Sequence, residues 1–189
     1  MTEKKQTGNI FERITEIYLV LMVTVFLLYP GRQGFVGIAE EKYRLFLILC
    51  GGYTAVMLLL LVESALVGGK GYVRIREAMA DTSWMQRLLA IYLLLTWLSA
   101  LLSPYFPDTV IGVSRYEGAL TITIYCACFY LVRAYGRISK MLVMALAASA
   151  TIFCIICVMQ IYGGNPLGLY PDGYSYADAY TAYSGAYLG

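Results

Sequence analysis

The sequence predicts an all-α, polytopic transmembrane helical bundle of about five spans, with the N-terminus cytoplasmic and the C-terminal tail outside. Three observations predict it. Of 189 residues, 60% are hydrophobic and 14% charged, against roughly 25% charged in ordinary soluble domains. The apolar residues come in long uncharged runs. Lys and Arg concentrate in alternate connections. A soluble fold of this size would expose apolar patches larger than soluble monomers tolerate. The net charge of +2, with no basic cluster interleaved with aromatics, argues against nucleic acid as a partner. Membrane lipids are the expected surroundings, in a multi-pass protein of the cell membrane.

Residues 1–13 read as a cytoplasmic N-terminus. Lys4 and Lys5 give a basic start, but the apolar run from Ile17 ends in Tyr29-Pro30-Gly31 without a small-x-small cleavage site. It therefore reads as a retained span and not a secretory signal. The transmembrane region covers 14–162, with helices at about 14–30, 43–67, 87–103, 116–134 and 140–162. Pro30-Gly31, Ser103-Pro104 and Gly163-Gly164-Asn165-Pro166 punctuate it. Flanking Tyr, Trp and Arg complete the shorter spans by reaching the interface.

Orientation follows from ten of the 14 basic residues. Lys4, Lys5, Arg13, Lys70, Arg74, Arg76, Arg87, Arg133, Arg137 and Lys140 share one side, assigned to the cytoplasm. Arg32, Lys42, Arg44 and Arg115 face the other. Residues 163–189 then form an extracytoplasmic tail, dense in tyrosine from Tyr170 to Tyr187, without Lys or Arg. Interfacial anchoring accounts for the tyrosines; a surface on which sugar rings stack is the alternative. The connection from Gly68 to Gln86 is cytoplasmic. Within it, Val73 to Met85 reads either as an amphipathic helix on the anionic leaflet or as a solvated connector.

The five cysteines, Cys50, Cys126, Cys128, Cys154 and Cys157, all fall in apolar runs, which argues against a disulfide framework. Cys154-x-x-Cys157 has redox spacing, but lies in a span without histidine or a second pair, so packing or lipid contact explains it. No metal and no cofactor is expected. Gly51-Gly52 reads as small residues for helix packing, or as the mark of a broken helix. Glu63 reads as an acid reaching the interface, with a functional intramembrane carboxylate as the alternative. Glu12, Arg13 and Glu16 read as a solvated, mutually paired edge.

No nucleotide loop, metal-ligand cluster or nucleophilic triad is present. Chemistry is left to the connection between the third and fourth spans, where Ser114-Arg115-Tyr116-Glu117-Gly118 opens a helix. A guanidinium there can hold a phosphate or diphosphate by paired hydrogen bonds, helped by the helix's first N–H groups. The alternative is an interfacial arginine that snorkels or pairs with Glu117.

Three stretches carry a resemblance. They are Trp97-Leu98-Ser99-Ala100-Leu101-Leu102-Ser103-Pro104, then Ser114-Arg115-Tyr116-Glu117-Gly118-Ala119-Leu120-Thr121, then Tyr170-Pro171-Asp172-Gly173 with Tyr183-Ser184-Gly185-Ala186-Tyr187-Leu188-Gly189. With the layout of spans, they resemble the N-terminal part of the O-antigen ligase and polymerase family of polytopic membrane proteins. The resemblance implies transfer of a glycan from an undecaprenyl-diphosphate carrier to a cell-surface acceptor on the outer face, a glycosyltransferase-type step of polysaccharide biosynthesis in the cell envelope. It implies no cofactor, and Arg115 as a diphosphate contact. The chain departs from the family in having about half the expected spans and no histidine. The expectation is therefore an N-terminal part, with a truncated tail and no catalytic residue of its own, inactive by itself. A transporter or flippase part built on Gly51-Gly52 and Glu63, and a small membrane scaffold, are the competing readings. The glycan, the acceptor and the oligomeric state are not encoded in any motif.

Overall fold

The computed structural model describes residues 3–31, 37–80, 83–113 and 116–162. Among these the chain is all-helical. Its helices are α1 (Glu3–Leu21), α2 (Ile38–Phe46), α3 (Gly52–Leu66), α4 (Lys70–Ala80), α5 (Trp84–Leu102), α6 (Phe106–Ile111), α7 (Ala119–Tyr135) and α8 (Lys140–Ile161). Two five-residue π-helical turns, Met22–Phe26 and Leu47–Gly51, follow α1 and precede α3. Each lies near a threonine that bonds back to a carbonyl four residues earlier, Thr24 to Val20 and Thr54 to Cys50, both at 2.7 Å. Such back-bonding bends a helix, and π turns recur at functional positions.

Among the described residues three helices are long and apolar enough to cross a membrane: Ile38–Leu66, Trp84–Leu102 and Lys140–Met159. These correspond to the second, third and fifth expected spans. The expected fourth span falls on the shorter apolar helix Ala119–Tyr135, which starts later than expected because Gly118, before it, is extended. Where the first span is expected, α1 begins at Glu3, carries Glu12, Arg13 and Glu16 within the helix, and is not among the helices long and apolar enough to cross. Only 11% of Trp84–Leu102 and 6% of Lys140–Met159 is buried within the protein. Helices this apolar with this little protein cover need hydrocarbon around them, so the chain is a membrane protein.

The ends of the helices follow local chemistry. After α3, Gly68 adopts φ +66° and the amides of Val67, Gly68 and Gly69 return to the carbonyls of Glu63, Ala65 and Ser64, a left-handed C-terminal cap. Pro104 stops α5. Ser139 Oγ accepts the Leu142 amide at 3.1 Å and starts α8. The connection 68–86 is not a plain linker. It holds α4, whose helix begins at Lys70 and not at Val73, and ends by Ala80.

The chain forms two compact units. The first comprises Met1–Tyr18 and Leu47–Arg137. Within it α7 is the central element, packed on α3, α4, α5 and α6. Its buried residues include Phe11, Tyr18, Cys50, Tyr53, Met57, Leu61, Cys128, Leu131 and Tyr135. The second comprises Leu19–Phe46 and Ile138–Gly189. There the π turn Met22–Phe26 packs on α8 and α2, Tyr29 donates to Glu41 at 3.1 Å, and Arg44 pairs with Glu40 at 2.5 Å.

Candidate functional site

The connection between α5 and α7 is built by its backbone. The Ser103 amide donates to Ala100 O at 3.2 Å, and Ser103 Oγ accepts the Tyr105 amide at 3.1 Å. Pro107 stands in the first turn of α6, where its missing N–H is no loss. The helix ends at Gly112, φ +84°, whose amide reaches Asp108 O at 2.7 Å. Here the chain crosses itself. A β-carbon on Gly112 would stand 2.5 Å from Gly118 N, and one on Gly118 would stand 2.5 Å from the Ile111 carbonyl carbon. Two backbones meet at a distance that only glycine permits.

Of the residues between these two glycines, Val113, Tyr116 and Glu117 are described. Tyr116 takes φ +56°, a left-handed conformation costing about 1–2 kcal/mol for a non-glycine residue. Its carbonyl accepts Thr121 Oγ1 at 2.7 Å, which ties the loop to the first turn of α7. Arg115, the expected diphosphate contact, lies with Ser114 outside the described residues. Glu117 is exposed and stands at one end of a cavity of about 640 Å³ between α5 and α7, lined further along by Tyr92, Tyr125 and Phe129. Trp97 Nε1 donates to Thr123 Oγ1 at 2.9 Å and joins the two helices beside it.

At the opposite end of α7 the arrangement is electrostatic and aromatic. The Glu12 side chain, 17% exposed, receives Arg74 at 2.5 Å and Arg137 at 2.9 Å. The Arg74 guanidinium also lies over the Tyr135 ring, 5.5 Å from its centroid. Tyr135 stacks on Phe11, centroids 4.9 Å apart, and its hydroxyl donates to Gly71 O at 2.6 Å. Gly71 makes this approach possible, since a β-carbon there would collide with the Phe11 ring. The sequence reading of Glu12 as part of a solvated edge paired within its own helix is thus corrected. Glu12 bonds across to α4 and to the residue after α7, because the face of α1 that carries Phe11 and Thr15 is buried.

Between these ends lies a group of small polar side chains in an apolar interior. Thr15 Oγ1 and Tyr53 OH are 3.0 Å apart, and Tyr18 OH and Cys50 Sγ 3.3 Å. Thr54 Oγ1 stands 3.5 Å from Cys128 Sγ, which donates to Cys50 O at 3.8 Å. Tyr18 and Tyr53 stack with centroids 4.0 Å apart. The cysteines are free thiols, as expected, and Cys154 is exposed. Sequence reasoning missed that Tyr18, Cys50 and Cys128 meet. The helical spacing Phe11, Thr15, Tyr18 was the available signal. Gly51-Gly52 neither breaks the chain nor serves close packing. A β-carbon at either position meets nothing within 4 Å, and α3 continues directly from the π turn. Glu63 is exposed, in the last turn of α3. Among the described residues no group of three or more potential metal ligands occurs.

No family model, no curated protein and no solved structure matches the chain.

Proposed function

We propose that the chain crosses the membrane about five times, with its N-terminus cytoplasmic and residues 163–189 outside, and that it is the N-terminal part of an O-antigen ligase- or polymerase-like protein. The parent transfers a glycan from an undecaprenyl-diphosphate carrier to a cell-surface acceptor on the outer face. In support of the orientation, three segments assigned to one side by their basic residues meet at Glu12: the N-terminal helix, α4 through Arg74, and the end of α7 through Arg137. Their predominance of Lys and Arg assigns that side to the cytoplasm.

The observation that carries the functional reading is the close backbone approach of Gly112 and Gly118, which flank Arg115 in the sequence. Departure of a diphosphate needs a cation that is held in place before the reaction. An arginine brings such a cation together with paired hydrogen-bond donors. The chain has no histidine, so no base for the acceptor hydroxyl is assigned to these residues. The test is glycan transfer from the polyprenyl-diphosphate donor in membranes containing the full-length gene product. Arg115→Ala should reduce transfer about a hundredfold at unchanged protein level, the scale seen when one donor to a developing negative charge is removed. Unchanged transfer by Arg115→Ala would end the assignment.

A further inference from the structure

We propose that the groove between α3, α4 and α7 holds an acyl chain of an anionic phospholipid, with the headgroup phosphate at Arg76. The groove has a volume of about 360 Å³ and is lined by apolar side chains, among them Leu58 and Ala65 of α3, Ile75 and Met79 of α4, and Tyr130 of α7. Along α3 it runs from Thr54 to Ala65, about 16 Å of helix axis, close to half the roughly 30 Å hydrocarbon thickness. That is the depth of one leaflet. Its α4 end lies where the apolar helix Ile38–Leu66 stops, which is where headgroups belong.

Charge selects the lipid. Arg76 follows Tyr72 by four residues and precedes Met79 by three, so it shares the face of α4 that lines the groove. It is exposed and makes no ion pair among the described residues. Arg74, two residues earlier, is committed to Glu12. No carboxylate lines the groove. Glu63 sits on the opposite face of α3, two residues from both Leu61 and Ala65, and Glu77 lies on the flank of α4 turned from Tyr72 and Met79. An apolar slot one leaflet deep, with an exposed and uncommitted guanidinium one residue from Ile75 on the same side of α4, suits a lipid of net negative charge. A zwitterionic headgroup brings its own cation beside the phosphate and gains less. The inference does not depend on glycan transfer.

The protein is reconstituted in nanodiscs of equal parts phosphatidylglycerol and phosphatidylcholine, released into detergent, and its retained lipids are counted by native mass spectrometry. The wild type should retain phosphatidylglycerol over phosphatidylcholine by about fivefold, the effect of one basic residue near the surface. Arg76→Gln should bring the ratio close to one. Ala65→Trp, or Leu58→Trp should the first fail to fold, should fill the groove and abolish retention of both lipids. Arg13→Gln, which removes an exposed arginine away from the groove, should leave the ratio unchanged. A wild type without preference, an unaffected Arg76→Gln, full retention in a folded groove-filled variant, or an Arg13→Gln loss equal to that of Arg76→Gln would each overturn the proposal.

Discussion

The two ends of α7 are closed by opposite means. At its start, the chain is held by backbone against backbone, at Gly112 and Gly118, with almost no side chain between. At its end, the closure is made of side chains: Phe11 on Tyr135, Arg74 and Arg137 on Glu12. A backbone crossing is rigid and intolerant, because no rotamer can relieve a collision. A closure by charges and rings is adjustable, because each contact can be weakened singly and the exposed charges remain solvated. The first kind suits a loop that must keep one shape. The second suits the joining of three segments that are distant in sequence.

This contrast sets the order of expected effects. Gly118→Ala should do the most damage. Its methyl group would enter the backbone of Val110 and Ile111, and relief requires moving α6, at about 2–3 kcal/mol or more. Thermal unfolding in detergent should show a clear fall in midpoint, and a midpoint equal to wild type would mean that the crossing is looser than described. Glu12→Gln should cost less, about 1 kcal/mol, since Arg74 and Arg137 are 41% and 69% exposed and regain water when the carboxylate is lost. Raising salt should shrink the difference between wild type and variant. A salt-independent loss would transfer the effect from charge to the stacking of Phe11 and Tyr135. Glu63→Gln should change stability by no more than about 0.5 kcal/mol, because its side chain is exposed at the end of α3. A large effect on stability or ion-dependent behaviour would restore Glu63 as a functional acid and favour a transporter.

Much of the fold was legible because its signals are local. Apolar runs gave Trp84–Leu102 and Lys140–Met159 within a few residues of the expected boundaries, since each run ends at a proline, serine or glycine that stops a helix. The expected start of α7 came too early because nothing local in Tyr116-Glu117-Gly118 signals that Gly118 packs against the backbone of Val110 and Ile111. The helix within 68–86 was placed three residues late, because Lys70-Gly71-Tyr72 looks like a turn until Ser64 Oγ caps it by accepting the Tyr72 amide at 3.1 Å.

The candidate sites divide in the same way. Arg115 was singled out by residue type and position alone, and it lies outside the described residues. The partnership of Glu12 was misread. Nothing in the spacing of Glu12, Arg13 and Glu16 indicates Arg74 or Arg137, which lie 62 and 125 residues away in the chain. Cys50 and Cys128 read only as cysteines of apolar runs, and nothing local ties them to Tyr18, until three separate segments bring these residues together.

The sequence by itself determined that this is a helical membrane protein and where its principal helices lie. These depend on hydropathy and charge, which a stretch of about 20 residues expresses without its neighbours. The tertiary structure alone decided that Glu12 bridges two arginines, that Gly112 and Gly118 must be glycine, and that α3, α4 and α7 enclose an apolar groove. Each depends on distances between segments far apart in the chain, and those are fixed only when the helices pack.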